Sequence, residues 1–217
     1  MNLRRLVLYS VSLLVVLWLA VETWTARRIE DRAERYDEWR ERTAETIRSE
    51  VQGSLTAMEE DLGRLADSAA EIAGPLDEAH PRERRAAFER LGAALEEREA
   101  ERLGMALLDR DGEFLAWAGW MPYDDFPVVE PGTSLLQSRM FVVLAVVRDC
   151  AVGRAVALRP IDVLYPQIEK DAWAPELRDH VQEIHGVQVG IEIPGTGEGR
   201  MPLSIAGREK GRLDVRF

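Results

Sequence analysis

Cysteine is almost missing from this 217-residue chain, with Cys150 standing alone. No intrachain disulfide is possible, so a disulfide framework and a cysteine zinc site are both excluded. A single cysteine at a strand edge reads as a small turn or buried residue rather than a nucleophile. Lysine is nearly as scarce: only Lys170 and Lys210 stand among 28 Lys and Arg, a compositional bias from which no function follows. Positive charge is outweighed by 39 Asp and Glu, giving a formal net charge of −11 and a pI of about 4.9. That balance argues against a nucleic-acid partner. No Gly-x-Ser-x-Gly elbow, Cys-x-x-Cys pair or kinase-type motif set occurs. No catalytic residue is therefore assigned, and the residues present read as a non-enzyme.

Proline is also absent before Pro75, and charge is absent from Leu6 to Val21. Arg4 and Arg5 precede that apolar run; Glu22, Trp24, Arg27 and Arg28 follow it. Sixteen uncharged residues make about 24 Å of helix, a little short of the roughly 30 Å hydrocarbon core of a bilayer. Leu3 and the snorkelling stems of Arg4 and Arg5 extend it, and Trp18 and Trp24 fall where an interfacial aromatic belt would lie. Residues 1–24 are expected to be a transmembrane anchor. The competing reading is a cleaved signal peptide, which a cut after Ala20 serves poorly because it puts Trp18 where a small residue is wanted. Arg4 and Arg5 favour a cytoplasmic N-terminus, Arg27, Arg28 and Arg32 oppose it, and the long C-terminal part favours a periplasmic bulk held on a bacterial inner membrane.

From Thr25 to Ala73 the chain is dense in Glu, Arg and Ala. Ile29, Ala33, Tyr36, Thr43, Ile47, Val51, Leu55, Met58, Leu62, Leu65, Ala69 and Ile72 recur at steps mainly of three and four, one face of a helix. Arg40 fills one seam position, and the spacing through Thr43, Ile47 and Val51 relaxes any supercoil. Gly74-Pro75 ends the helix. A long amphipathic helix rising from an anchor predicts a stalk at 25–73 that pairs with a second copy. The alternative is that its apolar face packs on the chain's own domain, and the two readings can hold for different halves.

Residues 74–217, about 145, suffice for one domain with a core. A helix is predicted over Arg82–Leu103. Met105–Leu108, the Asp109-Arg110-Asp111-Gly112 turn and Glu113–Ala118 read as a β-hairpin. Gly119–Ser138 reads as irregular, Arg139–Val147 as a strand too short to span a bilayer, and Val152–Leu158 as its antiparallel partner. Pro160 begins a short helix to about Lys170. Pro175 opens another to His185, capped by Gly186. Strands follow at Val187–Ile193, Pro202–Ala206 and Arg212–Phe217. The expected class is α+β: an N-terminal transmembrane helix, a stalk helix, then a single antiparallel sheet flanked by helices. Ending on a strand, the sequence reads as either a fragment or a gene that stops there.

The anchor, the long helix from Thr25 to Ala73 and the hairpin GMALLDRDGEFLAWAGW (Gly104–Trp120) together resemble the extracytoplasmic sensor region of bacterial transmembrane receptors, with a PAS-like or Cache-like domain and a GAF-like one as the alternative. The likeness is specific only over the hairpin. It implies ligand sensing, dimerisation and transmission through the stalk, as in sensor histidine kinases of two-component systems. The second span, linker and kinase signature of a full receptor are missing; a kinase output domain could follow in a longer chain. The alternatives are a membrane-tethered interaction or assembly protein without a ligand and, last, an anchored enzyme with a scattered site.

The binding candidates are aromatic. Trp117, Trp120 and Tyr123 lie at the exit of the hairpin beside a proline-interrupted loop, Arg139 opens the next strand, and Tyr165 lies in the following segment; aromatic walls with few polar groups suit a small molecule. Alternation sets Trp117 opposite Ala116 and Ala118. The competing reading is plain core packing of large side chains. No metal site or cofactor is expected. Asp109, Asp111 and Glu113 lack the ligand count of a calcium loop. His180 and His185 are about 500° apart around a helix and share no face, and His80 is remote from both. Gly195-Thr196-Gly197-Glu198-Gly199 lies between strands with an acid in it, which suits a hairpin turn and not a phosphate cradle.

Overall fold

The computed structural model describes residues 3–74, 76, 81–96, 102–127, 129–163, 176–193 and 201–216, with side chains from Trp18 onward except at 81, 176–179 and 192. The helix α1 spans Leu3–Ala73, and its residues fall in two units, Met1–Thr46 and Ile47–Phe217.

The first unit is helical throughout its described length. Thr23 and Thr25 donate back to the carbonyls of Leu19 and Val21, Arg28 stacks 4.6 Å from the Trp24 ring centroid, and Arg42 pairs with Glu38 at 2.7 Å. Trp18, Leu19, Val21, Trp24, Ile29, Tyr36 and Trp39 are all exposed. Among the described residues no helix is long and apolar enough to cross a membrane; of the Leu6–Val21 run, only the side chains from Trp18 on are described.

In the second unit the same heptad-like spacing has a different fate. Ile47, Val51, Leu55, Leu62, Leu65, Ala66, Ala69 and Ala73 are all buried and join one core with the strands and helices that follow. Steps of three and four keep these residues on one stripe, and burying each of the larger ones contributes roughly 1.5–3 kcal/mol. From Ile47 onward that apolar stripe packs on the chain's own sheets, which is the second of the two readings of the seam.

Helix α2 (Pro81–Glu96) has proline in its first turn and Glu83 beside its positive end. Its described part runs to Glu96, 97–101 lie outside the described residues, and the expected end at Leu103 is not helical. Ala87 and Leu91 bury its inner face. Strands β1 (Gly104–Leu108) and β2 (Phe114–Gly119) form the expected hairpin. Its turn is held by Asp109, whose carboxylate accepts the N–H groups of Asp111 and Glu113, both at 2.9 Å.

The segment expected to be irregular contains a strand, β3 (Gly132–Gln137), paired with β4 (Phe141–Cys150). Its β-branched and leucine content was masked by the prolines before it. Strand β5 (Gly153–Val163) runs straight through Pro160, where a helix was expected. Proline is tolerated there because β5 has by then outrun β1: the β1 ladder ends at Gly104↔Leu158, leaving no partner for the missing N–H on that side. The rest of the expected helix, 164–170, lies outside the described residues. The five strands make an antiparallel sheet of order β2-β1-β5-β4-β3.

The fold is α+β, as expected, but among the described residues there are two sheets where one was expected. After α3 (Glu176–His185), β6 (Gln188–Glu192), β7 (Met201–Ile205) and β8 (Arg208–Arg216) pair only with one another, in the order β6-β8-β7. The missed feature is the β7–β8 turn, where Ala206 (φ 50°) and Gly207 (φ 71°) are both left-handed. Such a primed turn is signalled by Asn-Gly, and alanine hides it. The Gly195–Gly199 turn lies outside the described residues.

Polar contacts tie both sheets to α1. Gln52 replaces a neighbouring strand for the edge residue Ser204, accepting its N–H at 2.9 Å and donating to its carbonyl at 2.6 Å. Glu59 accepts the Ala206 N–H at 3.3 Å, Glu50 meets His185 at 2.8 Å, and Asp67 takes Arg148 of β4 at 3.0 Å. Asp162, buried at the end of β5, accepts the Ile191 N–H of β6 at 2.7 Å and so joins sheet to sheet.

Two outcomes follow for chemical denaturation. Gln52→Ala should lower stability by about 1–3 kcal/mol, since it strands two backbone groups of an edge strand; no change would show that water replaces the amide. Ala206→Asn should raise stability by up to about 1 kcal/mol, because asparagine tolerates the left-handed region; a loss would show that the turn is not left-handed in solution.

Candidate functional site

The two faces of the five-stranded sheet are buried differently. Met105, Leu107, Val142, Leu144, Val146, Ala155 and Ala157 point to the core shared with α1. Ala106, Leu108, Val143, Ala145, Val147, Val156 and Leu158 point the other way, as strict alternation requires. Over that second face lies the segment that joins β2 to β3. It supplies Phe126, fully packed, with Trp120, Met121, Tyr123 and Val129 against it.

Two glycines put the segment there. Gly119 sits at φ 75°, turning the chain back at the end of β2, and a Cβ at Gly104 would overlap the Trp120 carbonyl oxygen. The backbone of Trp120 therefore crosses directly over the start of β1, and its N–H donates to the Leu103 carbonyl at 2.9 Å. Among the described residues, no other backbone–backbone hydrogen bond holds the segment from Met121 to Pro131. Side chains hold the cover in place.

Those side chains are mostly aromatic and meet edge to face, the favourable arrangement for ring quadrupoles. Trp120 packs on Phe141 of β4 with centroids 5.2 Å apart. Tyr123 meets Phe126 at 5.5 Å, and Phe126 meets Phe114 of β2 at 6.4 Å. Trp117 touches Phe114 at 5.9 Å and Phe88 of α2 at 4.9 Å. The chain of rings Trp117–Phe114–Phe126–Tyr123 thus starts at the edge strand and ends over the sheet.

Of the five residues singled out from sequence, Trp120 and Tyr123 sit in this layer. Trp117 lies on the side opposite Ala116 and Ala118, as alternation requires, but it stands at the rim and is 46% exposed. Arg139 does not join them. Ser138 Oγ accepts the N–H groups of Met140 and Phe141, which closes a turn before β4; Arg139 is at its exposed tip rather than at the start of the strand. Tyr165 lies outside the described residues. Phe114, Phe126 and Phe141 were missed. Only the fold reveals them, Phe114 and Phe141 through the strands that carry them and Phe126 through the packing of the cover.

One polar atom lies inside the layer. The Tyr123 hydroxyl oxygen is buried and has no hydrogen-bond partner among the described residues. Burial pushes its pKa up to about 12, since removing water penalises the phenolate. Burial likewise raises the Cys150 thiol at the β4–β5 turn, which disfavours the reactive thiolate. Among the described residues no group of three or more His, Cys, Asp and Glu is placed to hold a metal ion.

Compared with protein-family models, curated proteins and solved structures, the chain matches none.

Because the folded hydroxyl titrates above the unfolded value of 10, the folded state holds more protons between about pH 10 and 12. Its contribution is complete below pH 10 and is lost as pH rises through that window. Denaturation from pH 8 to 12 should show wild type losing stability over that window more steeply than Tyr123→Phe. Parallel curves would show that the hydroxyl is solvated.

Proposed function

We propose that the chain is the sensing region of a membrane-anchored signal-transduction protein, non-catalytic in the residues present. A small molecule binds on the covered face of the five-stranded sheet, and the response leaves through helix α1. The single observation that carries the reading is that the same strands present one face to a side-chain-held aromatic cover and the other to α1. A ligand that repacks the cover acts on β1, β4 and β5, whose opposite side chains pack on the helix. It can shift the helix only by binding its two arrangements with different affinity.

The strand order supports a PAS-type or Cache-type sensor sheet, in which the first hairpin folds back beside the last strand. The three-stranded sheet is an addition to that plan. The apolar run Leu6–Val21 serves as the anchor, and the exposed Ile29 and Tyr36 leave the part of the stalk before Thr46 as the place for pairing with a second copy.

The test uses the full chain in lipid nanodiscs and a panel of small metabolites. At least one should raise the melting temperature and alter amide exchange in 47–73, with both effects reduced at least fivefold by Trp120→Ala. If no compound does either, sensing is rejected in favour of a tethered interaction protein. An intact chain that stays in the aqueous fraction without detergent would reject the anchor.

A further inference from the structure

The chemistry of the covered face restricts what can bind there. Register assigns its side chains strand by strand. From Phe141 to Val147 on β4, and from Val156 to Pro160 on β5, they are Phe, Val, Ala, Val, then Val, Leu, Pro. Strand β1 adds Ala106 and Leu108, and β3 adds Ser134 and Leu136. Charge enters only at one end, where Asp149 and Arg154 stand opposite each other beside the β4–β5 turn. The cover repeats the pattern: Asp124 and Asp125 are exposed, and Phe126 between them and Pro127 is buried. Away from the Asp149–Arg154 end, a bound carboxylate, ammonium or phosphate would meet only apolar side chains on the floor and the exposed Asp124 and Asp125 in the cover, and burying an unpaired ion costs far more than apolar contact returns.

The Tyr123 hydroxyl is the exception within this layer. A buried hydroxyl without a partner costs roughly 1–3 kcal/mol, and such groups in a native fold call for an explanation. Here the group belongs to the cover, which beyond the Trp120 N–H is held by side chains, and not to the sheet. Ala106 and Ala145, the smallest side chains of the floor, belong to the cluster against which Tyr123 packs.

We infer, building on the sensing role above, that the layer between the five-stranded sheet and the Trp120–Phe126 cover takes an uncharged, largely apolar small molecule whose one acceptor oxygen receives the Tyr123 hydroxyl proton. The ring faces of Trp120, Phe126 and Phe141 pack its apolar body. The hydroxyl supplies orientation and specificity, because a ligand without an acceptor leaves it unpaired. A tyrosine hydroxyl is protonated, and so able to donate, through the whole physiological range.

The test again uses the full chain in nanodiscs, carrying 13Cζ-labelled tyrosine. Its four tyrosines are Tyr9, Tyr36, Tyr123 and Tyr165, and the Tyr123 signal is the one lost in Tyr123→Phe. The probes are acetophenone, indan-1-one and 1-acetonaphthone, each with its parent hydrocarbon and the matching carboxylate. At least one ketone should stabilise the chain and move the Tyr123 Cζ resonance, with its hydrocarbon and the Tyr123→Phe variant each about 5- to 30-fold weaker. Ketone binding of equal strength in Tyr123→Phe overturns the inference. Preferential binding of a carboxylate overturns it too, but leaves the sensing role standing. If none of the probes binds, the inference fails, while the metabolite panel decides the sensing role separately.

Discussion

Burial of one stripe of helix α1 between Ile47 and Ala73 is the constraint on which the rest of the second unit depends. The five-stranded sheet needs a lid for Met105, Leu107, Leu144 and Val146, and the three-stranded sheet needs one for Leu203, Ile205 and Leu213. All of these residues and the helix stripe belong to one core. A small sheet gains its stability from an apolar face that is packed, and here the helix stripe supplies that packing. The polar contacts refine the docking and do not drive it. Gln52 closes the open edge of β7, Asp67 receives Arg148, and Asp162 bonds sheet to sheet. The exposed ion pairs among them contribute little by themselves, whereas the backbone groups they satisfy would be costly to leave open.

That arrangement makes the five-stranded sheet chemically two-sided. On the α1 side a regular helix contributes a self-satisfied backbone and a fixed stripe of side chains. On the other side the cover has no repeating backbone ladder, and it rests on rings contributed by β2, β4 and its own residues. Regions with few backbone hydrogen bonds open at lower free energy than core elements. Any molecule that enters the domain by repacking a layer therefore meets less resistance at the cover than at the helix, and it acts on strands the helix already grips.

A good part of this was readable from residue order. The hairpin Gly104–Gly119, the helix end at Gly74-Pro75 and the helix closing at His185 are local events, set by turn chemistry, proline and glycine. Three features were not readable, for separate reasons. Pro160 signals a helix start locally, but its tolerance in β5 depends on where β1 ends. Ala206 carries no turn signal, because its left-handed conformation is imposed by the pairing of β7 with β8 and by Glu59. The seam of α1 has the same spacing whether it meets a second copy or the chain's own sheets, since periodicity encodes a face and not its partner.

The candidate site divides along the same line. Trp120 and Tyr123 were found because they cluster in sequence next to an irregular segment. Phe114, Phe126 and Phe141 were not, because the sheet and the packing of its cover bring them together from three places. Sequence alone determined the α+β class, the amphipathic helix and the acidic, nearly cysteine-free chemistry, all of which follow from composition and short-range periodicity. Tertiary structure alone decided that the described residues form two sheets, that α1 buries its apolar stripe from Ile47 onward inside its own chain, and that the Tyr123 hydroxyl has no partner among the described residues. Those outcomes depend on contacts between residues far apart along the chain, and no local pattern specifies which surfaces will meet.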